Sequence, residues 1–93
     1  MARLDEDEIA RRLSALEGWA LEGNAITKQF TGADFAGSVE FVNRLAPIAE
    51  DMNHHPDLAI AWNTVTVTIS THSEGGLTAL DFELAGRIDA SAG

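Results

Sequence analysis

The sequence predicts an α+β domain in the order α-β-β-α-β-β-α, a four-stranded antiparallel sheet with helices packed on one face. Three observations predict it: apolar residues at helical spacing in three separate segments, near-strict alternation from Leu58 to Ser70, and two short turn-forming junctions that each divide a pair of strand-like runs. No repeat or low-complexity linker interrupts the order. At 93 residues, 45% of them hydrophobic, the chain suffices for one compact domain and not for two. That domain is expected to span 1–93, ordered from about residue 4 to about residue 90, with Ser91-Ala92-Gly93 as a frayed end.

The first helix opens on Asp5 to Glu8, acidic residues that favour the positive end of a helix dipole. Ile9, Leu13 and Leu16 form its apolar face, and Gly18 supplies the stop. Trp19-Ala20-Leu21 and Ile26 to Thr31 then read as a hairpin around Glu22-Gly23-Asn24. Lys28 shares parity with Ile26 and Phe30, so either its stem lies along the apolar face with the ammonium reaching water, or the strand is irregular there.

Asp34 to about Met52 returns to helical spacing with two stripes, Phe35-Val39-Val42-Ala46-Ala49 and Phe41-Leu45-Ile48-Met52. Together they cover nearly half the helix surface, more than one sheet face needs, and the surplus is expected to meet a partner subunit. Pro47 removes one backbone donor within it, which predicts a bend.

After Pro56, Leu58, Ile60 and Trp62 alternate with small residues, and Val65, Val67 and Ile69 alternate with Thr and Ser. The Trp62-Asn63-Thr64 junction makes these two runs a second hairpin. Trp19 and Trp62 both continue an apolar parity, which predicts core packing ahead of a ring-stacking role. Gly75-Gly76 ends the strands, and Thr78 to about Ala90 gives the last helix, with Leu80, Leu84 and Ile88 on one face.

Composition excludes several functions. Fifteen acidic residues stand against six basic ones, a formal charge of −9 without any basic run, which disfavours nucleic acid and anionic membrane as partners. Cysteine is absent, so disulfides and thiolate metal sites are ruled out. The N-terminus turns acidic at once and no stretch approaches the ~20 apolar residues of a membrane span, so a cytoplasmic location is expected. Phosphate-binding glycine loops and serine nucleophile elbows are missing as well.

The chemistry that remains concerns histidine. All three histidines, His54, His55 and His72, bracket the second hairpin. Because hairpin strands are antiparallel, the start of one and the end of the other lie close together. Imidazoles with an ordinary pKa near ~6.5 suit proton transfer at neutral pH. Pro56 biases His55 away from helical dihedrals. Adjacent histidines rarely aim both rings at one ion, and no H-x-x-x-H or H-x-H spacing exists, so no metal site is expected.

Other residues near the histidines have ordinary explanations beside functional ones. Glu50, four residues before His54, either orients an imidazole or contacts a substrate amine, or is a solvated helix charge, which is the stronger reading from the residues alone. Thr78-Ala79-Leu80-Asp81 has the spacing of a capping box, a structural explanation for Asp81. Thr71, Ser73 and Glu74 surround His72 with polar groups of a kind common in loops.

Glu50, three residues, His54-His55-Pro56, five residues, Trp62, nine residues, His72, eight residues, then Asp81 resembles the signature of the pterin-4a-carbinolamine dehydratases at every fixed position. The similarity extends through Leu16-Glu17-Gly18-Trp19, the Phe30 and Phe35 region and Ser70-Thr71-His72, and so covers nearly the whole domain. The resemblance implies the same α-β-β-α-β-β-α fold and dehydration of 4a-hydroxytetrahydropterin, left by aromatic amino acid hydroxylases, to quinonoid dihydropterin. It implies no metal or organic cofactor, the pterin being the substrate. It also implies His54 and His72 as the acid–base pair and His55 in catalysis and pterin positioning. Glu50 would meet the polar pterin edge, Pro56 and Thr71 to Glu74 would line the pocket, and Asp81 would hold His72 or the loop.

The family commonly forms homodimers or homotetramers, and some members are dimerisation cofactors for a homeodomain transcription factor, a role for which no residue here speaks. Asn53 and Leu58 depart from the family's frequent Asp and aromatic residue. A second reading, from another class, is a non-catalytic binding or assembly protein on the same fold; retention of all three histidines weighs against it.

Overall fold

The computed structural model describes residues 2–92. Its elements follow the expected order: α1 (Glu6–Ser14), β1 (Ala20–Glu22), β2 (Ala25–Thr31), α2 (Phe35–Met52), β3 (Asp57–Ala61), β4 (Thr64–Ile69) and α3 (Ala79–Ala92), with one 3-10 turn at His72–Glu74. The strands form a single antiparallel sheet in the order β1-β2-β4-β3.

Register explains which face the helices cover. Ile26 pairs with Ile69, Lys28 with Val67 and Phe30 with Val65, so one parity of β2 and β4 turns a continuous apolar surface inward. Against it pack Phe41, Leu45 and Ala49 of α2, Phe82, Leu84, Ala85 and Ile88 of α3, and Trp19 and Leu77. The other parity carries threonines, with Thr27–Thr68 and Thr31–Thr64 hydroxyl contacts of 3.3 and 3.4 Å. Burying one aliphatic side chain is worth about 1.5–3 kcal/mol, whereas a cross-strand polar pair gives about 0.2–1 kcal/mol. The inward parity therefore sets the register.

Several expectations need correction. The first helix ends at Ser14 rather than near Gly18: Ala15 and Leu16 close it with tight bonds to the Arg12 and Leu13 carbonyls, while Gly18 takes φ +81 in the loop beyond. The last helix runs to Ala92 rather than to about Ala90, and there Arg44 of α2 donates to the Ser91 carbonyl at 3.2 Å and the Ser91 hydroxyl donates to the Ile88 carbonyl at 2.8 Å. Gly93 lies outside the described residues.

Trp62 is a turn residue and not a core residue. Ala61 and Thr64 are paired, so Trp62 and Asn63 form a two-residue connection in which Trp62 adopts φ +50, and its side chain is 66% exposed. Leu58 and Ile60 of the edge strand β3 are exposed too, as are Phe35 and Val39 of the first α2 stripe. These residues lie outside the core that the second stripe, through Phe41 and Leu45, helps to fill.

Lys28 settles the choice left by its parity. The strand is regular, and the stem lies on the apolar face with its ammonium 4.9 Å from the Phe30 ring centre. That ammonium is anchored rather than free in water, donating to the Glu17 carbonyl at 2.8 Å and to Asp89 Oδ1 at 2.9 Å.

Candidate active site

The end of α2 is built by Asn53. Its backbone takes the left-handed conformation (φ 48, ψ 44), its N–H donates to the Glu50 carbonyl and the His54 N–H to the Ala49 carbonyl, both at 3.1 Å. This pair of bonds closes a helix only when one residue turns left-handed, a conformation that asparagine tolerates better than most non-glycine residues. The chain then enters β3 at Asp57, directly opposite Thr68 near the end of β4. The start of the hairpin and its finish thus meet, as antiparallel pairing requires.

The turn at Asn53 separates the two adjacent histidines. His54 faces inward, with its side chain 11% exposed and Nε2 2.6 Å from Oδ1 of Asp81, a residue with no exposed surface. His55 faces outward and its Nε2 bonds Oε2 of Glu50, both side chains being mostly exposed at 55% and 73%. Four-residue helical spacing pairs Glu50 with His54; the structure pairs it with His55, because the helix stops at Met52 before His54 can share its face.

Asp81 joins three segments. Its Oδ2 accepts the Thr71 hydroxyl at 2.8 Å and the Thr78 backbone N–H at 2.8 Å, the second being the reciprocal arm of the capping box that opens α3. Asp81 accordingly holds the loop, through Thr71, and its imidazole partner is His54 rather than His72. The reason is local: Thr71 is buried with its hydroxyl inward, whereas His72 is exposed on the following 3-10 turn.

Thr71 and Gly76 form an isolated bridge, and the Thr71 N–H donates to the Gly76 carbonyl at 3.1 Å. Gly75 closes the 3-10 turn at φ +69. The pinched loop leaves His72, Ser73 and Glu74 exposed. The structure therefore joins His54 and Thr71 through Asp81 and brings Glu50 and His55 into a second pair; His72 is the residue next to Thr71. A cleft of about 320 Å³ lies beside Ala46, Glu50, His55, Pro56 and Leu58, and neither His54 nor His72 lines it.

Two contributors escaped the sequence reading as functional elements. Asn53 orients the histidine pair, and an asparagine at the close of an apolar helical pattern, three residues before a proline, was the available signal. The Thr78 hydroxyl, 2.9 Å from that of Thr71, had no signal beyond its capping role. Among the described residues no group of three or more His, Cys, Asp or Glu side chains is disposed to hold a metal ion. No described helix is long and apolar enough to cross a membrane.

The fold and these two carboxylate-held imidazoles define a small α+β domain with two histidine–carboxylate pairs at the open end of its second hairpin. The family described as Pterin 4 alpha carbinolamine dehydratase matches residues 2–91. A protein of Sulfolobus acidocaldarius named "Putative pterin-4-alpha-carbinolamine dehydratase" is 53% identical over 87 residues, 94% of this chain and 96% of that one. The crystal structure of a transcriptional coactivator/pterin dehydratase from Brucella melitensis is 43% identical with a TM-score of 0.92, covering 98% of this chain and 99% of that one. A pterin dehydratase-like protein identified as a RuBisCO assembly factor in the alpha-carboxysome shares the fold at a TM-score of 0.65 and 24% identity, over 81% of this chain and 87% of that one. The chain belongs to the pterin-4a-carbinolamine dehydratase family.

Proposed function

We propose that the protein dehydrates 4a-hydroxytetrahydropterin to quinonoid dihydropterin and water by histidine acid–base catalysis, in support of tetrahydropterin recycling. The observation that carries this reading is the pairing of two adjacent imidazoles with two carboxylates, beside the turn that bears His72. In the reaction the 4a-hydroxyl takes a proton, the C4a–O bond breaks as water departs, the N5 lone pair forms the C4a=N5 double bond, and N5 gives up its proton. Acid and base thus act a bond apart on one small ring system, a task that several imidazoles meet.

His54 and His72 form the acid–base pair in this reading, and His55 works in catalysis and pterin positioning. Glu50 meets the polar pterin edge, and Pro56, Ser73 and Glu74 flank the bound ring. Asp81 and Thr71 hold His54 and the loop from behind. The pterin is itself the substrate, without metal or organic cofactor. An aromatic amino acid hydroxylase supplies it in the cytoplasm, and a homodimer or homotetramer covers the apolar stripe of Phe35 and Val39.

The test is stopped-flow measurement with chemically generated 4a-hydroxytetrahydropterin. Each well-placed proton-transfer group contributes about 10²–10⁴-fold, so His54→Ala and His72→Ala are each expected to lose at least about 10²-fold in kcat. Wild-type turnover in both variants would sink the proposal. Absence of turnover in the parent protein, with no pterin heat in calorimetry, would leave a binding role on this fold.

A further inference from the structure

The hydrogen bonds around Asp81 carry a proton count that fixes more than position. A hydroxyl has one proton to donate, and that of Thr71 goes to Asp81 Oδ2 at 2.8 Å. The 2.9 Å contact between the Thr71 and Thr78 hydroxyls must therefore be donated by Thr78. Thr78 Oγ1 in turn accepts the Leu80 N–H at 3.3 Å. Donors thus run in one direction, from the first turn of α3 through Thr78 and Thr71 to the carboxylate, and the Thr78 N–H adds a second donor to the same oxygen at 2.8 Å.

Thr71, Thr78 and Asp81 are all buried. An ionised carboxylate only accepts. With two donors already on Oδ2, Oδ1 faces His54 Nε2 at 2.6 Å and calls for a proton on that nitrogen. Nδ1 of His54 makes no hydrogen bond among the described residues.

We infer that Thr71 and Thr78 are positioning residues: their aligned hydroxyls orient Asp81 so that neutral His54 is held as the Nε2–H tautomer, with Nδ1 as the nitrogen that exchanges a proton with the substrate. This rests on the dehydratase reading for the substrate's identity, but the tautomer is a property of the resting protein. Which ring nitrogen of a histidine is free follows from the bond that the other one makes.

The experiment is a long-range proton–nitrogen correlation spectrum of the imidazoles, at a pH high enough to leave them neutral, with the His54 signals assigned by their loss in His54→Gln. The proton is expected on Nε2. In Asp81→Asn it is expected to move to Nδ1: two donors at the Oδ2 position select the amide oxygen there, so the amide NH₂ turns to Nε2 and makes it an acceptor. Thr71→Val and Thr78→Val are expected to lower kcat about tenfold to hundredfold with KM changed less than about twofold, part of the full contribution of an acid–base group. Thr71→Ser and Thr78→Ser should restore it.

A proton on Nδ1 in the parent protein, or an unmoved proton in a folded Asp81→Asn variant, would overturn the inference. So would Val variants with unaltered kcat. Parent protein with the Nε2–H signature and no turnover would instead remove the dehydratase reading, and with it the catalytic meaning of the tautomer.

Discussion

The indole N–H of Trp19 donates to both carboxylate oxygens of Asp89, at 3.1 and 3.0 Å, across 70 residues of sequence. The Lys28 ammonium joins the same carboxylate at 2.9 Å, so a loop, the central strand β2 and the last helix converge on Asp89. Asp89→Ala leaves a cation and an indole donor without their acceptor in a partly buried site and is expected to cost about 1–3 kcal/mol in urea unfolding. Lys28→Met in that background should recover part of the loss, because methionine still covers the Phe30 ring without an unpaired charge.

Removing either member of the histidine pair should affect stability unequally. His54→Ala strips the donor from one oxygen of fully buried Asp81, an expected loss of about 1–3 kcal/mol. His55→Ala breaks a pair exposed on both sides and should stay within about 0.5 kcal/mol. Chemical unfolding of the two variants checks this, and equal losses would contradict the inward and outward division of the rings.

Asn53 offers a conformational test. Any residue with a Cβ other than Asn or Asp meets a penalty of about 1–2 kcal/mol in the left-handed region, so Asn53→Ala should lose about that much. Asn53→Gly should not. If both variants lose the same amount, the asparagine side chain rather than its backbone would be responsible.

A pH effect is expected at α1. The Arg12 guanidinium, hydrogen-bonded to the Glu8 carboxylate and helped by the charge of Arg11, holds that carboxyl below its ordinary value of 4.5. A carboxyl depressed on folding contributes stability above its unfolded pKa and loses it as pH falls through the folded value. The stability difference between the parent and Glu8→Gln should therefore be constant near neutrality and shrink below about pH 4.5. Added salt should diminish it, since the group is on the surface.

Core and periphery should also differ. Ile69→Ala, at a site with no exposed surface, is expected to cost about 2–5 kcal/mol. Trp62→Ser should change the stability of the isolated chain by less than about 0.5 kcal/mol, since its ring is already in water. Thermal unfolding of both distinguishes a turn tryptophan from a core one.

Hydropathy period and turn chemistry by themselves determined the element order, the two hairpins and the meeting of the start of β3 with the end of β4, because helix and strand spacings are local properties of the chain. The capping box at Thr78 and Asp81 was legible for the same reason. Tertiary structure alone decided where each side chain went: that the left-handed turn at Asn53 sends His54 in and His55 out, that Glu50 therefore meets His55, that Asp81 faces His54, and that Trp62 leaves the core. Those outcomes depend on one backbone dihedral and on packing between segments distant in sequence, and neither leaves a periodic trace.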